Sequence, residues 1–201
     1  MYLPKWLPCS RMRYMLFLHN SSYQPKDNLW LKNKARILSS ASGITIRDTR
    51  VSRSYIEYDI STPDDSKIVE VASMLRDIGP YANSYQVIEK KREKEQAISE
   101  AMRFFNEEKY WIAHEILEYV WKGSTGVERD LVGGIILVCA AFVHYQKDEE
   151  EICISILRRA FKKLTTTTKR TYYGIDIEVI KNQISDIISK NKVELFKISQ
   201  S

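Results

Sequence analysis

The stretch Asn106-Glu-Glu-Lys-Tyr-Trp-Ile-Ala-His-Glu-Ile-Leu-Glu-Tyr-Val-Trp121 decides how the second half of the chain is read, and its spacing predicts one helix. At about 100° per residue, with His114 as origin, Glu118 falls at about +40°, Trp111 at about +60°, Trp121 at about −20°, Tyr110 at about −40° and Leu117 at about −60°. A histidine and a carboxylate therefore share a stripe with three aromatic rings. Ile112, Ile116 and Tyr119 lie on the far side. The helix is apolar nearly all round, so it is expected to be enclosed at the centre of a helical bundle.

Taking an imidazole and a carboxylate out of water is costly unless each finds a partner. Three arrangements satisfy this pair. In the first, the Trp121 indole N–H donates to Glu118 and a closed hydrogen-bond network fixes the bundle. In the second, a divalent metal ion sits between them, because His at i and Glu at i+4 point the same way one turn apart. His144, near the end of the next helix, is then the candidate third ligand, and Glu115, about 100° off the stripe, is the candidate general base of a metal-assisted hydrolysis. In the third, Tyr110, Trp111 and Trp121 frame a substrate or partner pocket. His114-Glu-x-x-Glu118 lacks the second histidine of the His-Glu-x-x-His protease pattern, which argues against a zinc protease.

His114-x-x-x-Glu118-x-x-Trp121, preceded by Phe105-Asn106 and Tyr110-Trp111 and followed by Gly134-Ile-Ile-Leu and an alanine-bearing helix ending in His144, resembles the domain of unknown function numbered 309. The resemblance covers roughly residues 97–165. It implies a small all-helical fold, a hallmark motif suspected of metal binding, and no established activity. The hallmark falls on His114, Glu118 and Trp121. The resemblance says nothing of the N-terminal half.

Around this stretch the periodicity predicts further helices over about Glu128–Tyr145, Glu149–Leu164 and Asp176–Lys190, with Thr165-Thr-Thr-Thr-Lys-Arg170 as a loop. In the Glu128–Tyr145 helix, Gly133, Leu137, Ala140, Ala141 and His144 share one side, where small residues let helix backbones approach. The mixed-charge run Glu89-Lys-Lys-Arg-Glu-Lys-Glu-Gln96 marks a boundary and an exposed first turn. The expected organisation is residues 1–88 as one domain and residues 89–201 as the helical bundle.

The first domain reads as strand, helix, hairpin, helix, strand. The strands are expected at Tyr14–His19, Ile44–Val51, Ser54–Ile60 and Tyr81–Ile88. A first helix runs from an Asp27 cap to about Ala41, with Trp30, Ile37 and Leu38 inward. A second opens at Thr62-Pro-Asp-Asp65 as a capping box and buries Ile68, Val71, Ala72 and Leu75. The order βαββαβ in a chain of this class fits a ferredoxin-like α+β sandwich. Residues 1–10 read as a loose arm.

Leu16-Phe-Leu-His-Asn20 also resembles the first strand of RNA-recognition domains, whose aromatic stacks on a base. That makes Phe17 and Tyr55 a candidate face for RNA or single-stranded DNA. Glu57 replaces the second stacking aromatic of that family, and Glu57 and Asp59 would repel phosphate, so domain packing or self-association, including a homo-oligomer, is the competing use of the face.

Lys and Arg outnumber Asp and Glu by 12 to 8 through residue 85 and by 19 to 18 thereafter, within a net charge of +5. Any anionic partner is thus expected at the N-terminal part. Cys9, Cys139 and Cys153 have no paired spacing, which argues against a cysteine-based zinc site and for a reducing, cytoplasmic setting. The longest apolar run, Leu131–Val143, is too short to span a bilayer, and prolines and Lys5 break up the N-terminus as a secretory signal, so no membrane partner is expected.

Overall fold

Alternation of Tyr14, Leu16 and Leu18 with Met15 and Phe17 makes Met12–His19 a strand, β1, whose first set enters the N-terminal core. The computed structural model describes residues 11–88 and 90–200, so the expected N-terminal arm and Cys9 lie outside the described residues. The chain divides into two compact units, Met1–Ile88 and Glu89–Ser201.

In the first unit β1 is followed by a short 3-10 turn at Pro25–Asp27, helix α1 (Asn28–Leu38), strands β2 (Thr45–Val51) and β3 (Tyr55–Thr62), helix α2 (Lys67–Met74) and strand β4 (Tyr81–Gln86). The strands form one antiparallel sheet in the order β2-β3-β1-β4. Leu16, Leu18, Ile56, Tyr58 and Ile60 from the sheet close over Leu31 and Ala35 of α1, over Ile68, Val71 and Ala72 of α2, and over Leu75 at its C-cap. The expected inward set of α2 is the observed one.

Two local expectations are corrected. Trp30 and Ile37 of α1 are exposed, at 53% and 74%, while Leu31 and Ala35 point inward, so the helix is turned relative to the sequence reading. Trp30 instead sits beside Tyr23, with ring centroids 5.9 Å apart, and under the Lys34 ammonium at 4.8 Å. The capping box at Thr62–Asp65 does not form either. Thr62 is the last residue of β3, its hydroxyl donates to the Asp64 carbonyl at 2.8 Å, and Asp65 accepts from the Tyr14 hydroxyl, so the helix starts only at Lys67. Burial, reinforced by Asp65, pushes the Tyr14 phenol up to about 12.

The second unit holds α3 (Lys94–Asn106), α4 (Tyr110–Lys122), α5 (Gly126–Tyr145), α6 (Glu150–Leu164), a two-stranded ribbon of β5 (Thr171–Tyr172) and β6 (Ile175–Asp176), and α7 (Ile177–Lys190). The ribbon lies between the expected Thr165–Arg170 loop and the last helix, and it turns through Tyr173 and Gly174, whose φ values are 46° and 76°. Asp176 then caps α7 by accepting from Glu178 N at 2.9 Å and Val179 N at 3.2 Å.

The stretch quoted first is two elements. Asn106 closes α3, and Glu108, with φ of 60°, turns the chain before α4 begins at Tyr110. The enclosed central helix is α5, not α4. Leu131–Ile136, Val138, Cys139 and Ala141–Val143 of α5 are all buried. Glycine lets α5 lie this close to its neighbours: a Cβ at Gly134 would stand 2.7 Å from Leu164 Cδ2 and 2.8 Å from its Cγ. No helix of the described residues is long and apolar enough to cross a membrane.

Candidate functional site

Helix α4 turns its aliphatic side inward. Ile112, Ala113, Ile116, Leu117 and Val120 are buried together with Tyr110, whereas Trp111, His114, Glu115, Glu118 and Trp121 are only half-buried. The His-Glu-Trp stripe therefore runs along the rim of the bundle rather than through its centre. Large aromatics with a polar tip are stable at such a boundary, which is why counting them as core rotated the expected face.

Tyr110 leaves the site altogether. It is 1% exposed and meets Phe105 edge-on at 5.0 Å and Phe142 at 5.1 Å, in an aromatic cluster completed by Phe196. Trp111 lies flat on His114, with centroids 5.5 Å apart and planes 8° apart. His114 Nε2 stands 4.0 Å from Glu118 Oε1, and the two side chains are 20% and 42% exposed. Trp121 packs under the Arg129 guanidinium, 3.7 Å from its ring centroid. Among the described residues no hydrogen bond joins the Trp121 indole to Glu118, so the closed network expected for this trio is not made. Glu115 carries no hydrogen bond or ion pair among the described residues.

His144 is placed elsewhere by helix register. Phe142 of α5 meets Tyr110, and a Cβ at Gly133 would lie 3.4 Å from Trp121 Nε1, so α4 and α5 run antiparallel with those residues level. The α5 residue level with His114 is then Cys139 or Ala140. At 1.5 Å per residue His144 lies about 7 Å further along the axis. Its Nδ1 is bonded instead to Glu149, across the turn that ends α5. The sequence places Glu149 at the start of the next helix, and helical periodicity within α5 does not show its pairing with His144 across the turn.

Among the described residues no group of three or more His, Cys, Asp or Glu side chains is placed to hold a metal ion. His114 and Glu118 bring two donors where protein zinc sites use three or four, so the donor set does not fit a resident metal centre. The two buried thiols are free, and burial pushes Cys153 up to about 12 and Cys139 higher, so neither supplies a thiolate near neutrality.

Residues 98–156 match the family Domain of unknown function (DUF309). The match spans α3 to the first half of α6 and so takes in His114, Glu118 and Trp121, as the sequence resemblance implied; the N-terminal unit lies outside it. No curated protein matches the chain.

On the N-terminal sheet, Phe17 and Tyr55 do meet, edge-on at 5.9 Å, but Phe17 is 1% and Met15 0% exposed. Phe17 is thus closed to solvent, while Tyr55 is half-buried. The same face carries a buried ionic cluster that sequence reading missed. Cross-strand register sets Arg50 beside Glu57 and Asp48 beside Asp59. The Arg50 guanidinium bonds Glu57, and Arg13 bonds Asp59 through Nε at 3.0 Å and Nη2 at 2.7 Å. Burial raises the Glu57 carboxyl above its ordinary range, Arg50 opposes the shift, and Asp59 adds to it. Alternation in the predicted hairpin placed these charges on one face, and pairing the two strands residue by residue would have found them.

Proposed function

We propose that the helical unit is a non-enzymatic binding module that engages a protein partner through the half-open strip of Trp111, His114, Glu115 and Glu118 on α4. The observation that carries this reading is the flat indole–imidazole stack with a carboxylate at its edge, all three groups partly open to solvent. Half-exposed tryptophans held rigid by a neighbour are the residues that dominate protein interfaces. Glu115 and Glu118 make the strip acidic, so an arginine or lysine side chain is the complementary group. Trp121 already accepts such a group in Arg129. Hydrolysis lacks support beside this, because the described donors fall short of a catalytic metal site.

The N-terminal unit we read as a ferredoxin-like, split βαβ sandwich. Its βαββαβ order, and the lodging of β1 between β3 and β4, support that reading.

Titration of the full chain with short arginine-bearing peptides, followed by tryptophan fluorescence, tests the proposal. Saturable quenching that is lost in both Glu118→Gln and Trp111→Leu is expected. Equal responses from wild type and both variants would overturn it. Binding of zinc or manganese that needs both His114 and Glu118 would replace it with a cation site.

A further inference from the structure

At the start of α3 and the end of α4 a cleft of about 410 Å³ is lined by Arg92, Lys94, Tyr119, Val120, Lys122 and Gly123. Among the described lining residues three are cationic and none is acidic. Glu100 takes Arg92 Nε at 2.8 Å, and Glu128 takes Lys94 Nζ at 3.0 and 3.1 Å, and neither carboxylate is among the described lining residues. The Arg92 and Lys94 side chains are therefore fixed in place before any ligand arrives, which lowers the entropy lost on binding. The Tyr119 hydroxyl fastens the wall by accepting from Arg92 N at 3.4 Å and donating to Arg92 O at 3.3 Å.

We infer that this cleft binds a phosphate monoester that carries a ring, the chemistry of a nucleoside monophosphate. Arginine and lysine side chains lining one cleft suit a phosphate group, for which they are the usual partners. A bare phosphate does not account for the rest of the wall. Val120 and Tyr119 also line the cleft, and the volume falls in the range of small-molecule sites, about 300–1,000 Å³. The site is distinct from the Trp111–His114–Glu118 strip and does not rest on the function proposed for it.

Calorimetric titration of the full chain at low salt with adenosine monophosphate, adenosine and inorganic phosphate tests the inference. The monophosphate should bind roughly tenfold or more tightly than either fragment, and its affinity should fall as salt rises. Lys122 is exposed, so Lys122→Met should leave the fold intact and weaken the monophosphate by roughly tenfold. His114→Ala should leave it unchanged. A monophosphate that fails to bind, that binds no better than adenosine, or that binds Lys122→Met as tightly as wild type would overturn the assignment. A 5′-phosphorylated oligonucleotide binding better than the free monophosphate would keep the chemistry and identify a nucleic-acid end as its source.

Discussion

The imidazole of His114 and the indole of Trp111 lie within 8° of parallel, one turn along the rim of α4. Stacking fixes the ring plane of His114 and leaves Glu118 to meet it from the edge. Because both aromatic groups are half-buried, Trp111→Ala should lower the stability of the helical unit by about 1–2 kcal/mol, less than a fully enclosed tryptophan. Trp111→Phe should recover most of that loss. Chemical denaturation of the three proteins gives the comparison, and a neutral Trp111→Ala would show that the stack organises nothing. The same apparatus tests the metal question: with two donors in reach, the midpoint should not move on adding a chelator, and a chelator-dependent midpoint would contradict the donor assignment.

Gly134 and Leu164 set how close α5 and α6 come. A methyl group at position 134 would stand 2.7 Å from Leu164 Cδ2, inside any real carbon contact, so Gly134→Ala should cost about 1–3 kcal/mol despite its better helix propensity. Shortening the partner should return part of that loss. In a double-mutant cycle, Leu164→Ala is expected to be less damaging on the Gly134→Ala background than on wild type. Strict additivity of the two changes would mean that the contact is relieved elsewhere.

Arg50 and Glu57 form a buried pair, 2% and 4% exposed in their side chains. Removing one partner strands the other charge, so Glu57→Ala should destabilise the N-terminal unit by about 3–5 kcal/mol. Replacing both by apolar residues, Arg50→Met with Glu57→Leu, should be far milder, since it removes the desolvation cost together with the attraction. Urea unfolding of single and double variants separates the cases. A double variant as unstable as Glu57→Ala would assign the cluster a role beyond this pair, through Arg13 and Asp59.

Periodicity reached the elements but not their rotation or their partners. Strands β1 to β4, the inward set of α2, and α5 through α7 follow from alternation or 3.6-residue spacing, because burial of one face dictates both. Trp30, Ile37 and Trp111 were assigned inward on hydrophobicity alone, yet Leu31 and the Ile112–Ile116 side of α4 supply the core, and a single-helix pattern does not say which of two apolar faces its neighbour will take. The break at Glu108 was hidden because a positive φ in a glutamate has no compositional mark. His144 fails as a third ligand for another reason: the α4–α5 register, marked by the packing of Phe142 on Tyr110, leaves it beyond the level of His114, where it meets Glu149 across the turn that ends α5.

Glu128 ties three segments of the helical unit together and should control its acid stability. It accepts from Lys94 at 3.0 and 3.1 Å and from the Tyr172 hydroxyl at 3.0 Å. Partial burial opposes its ionisation, but the bonds from Lys94 and Tyr172 overcome that and hold its pKa below the ordinary 4.5. The folded state thus favours the ionised carboxylate more than the unfolded chain does. The stability so gained is complete above 4.5 and is lost as pH falls through the depressed folded value. Thermal midpoints measured from pH 7 down to about 3 should therefore fall in that acid window, and Glu128→Gln, which has no proton to take up, should fall less steeply. Glu107, where bonds from Lys109 and Arg103 likewise outweigh burial, contributes in the same direction, so some acid slope should survive in the variant. An unchanged slope in Glu128→Gln would show that the Lys94–Glu128–Tyr172 link does not hold the ionised form in solution.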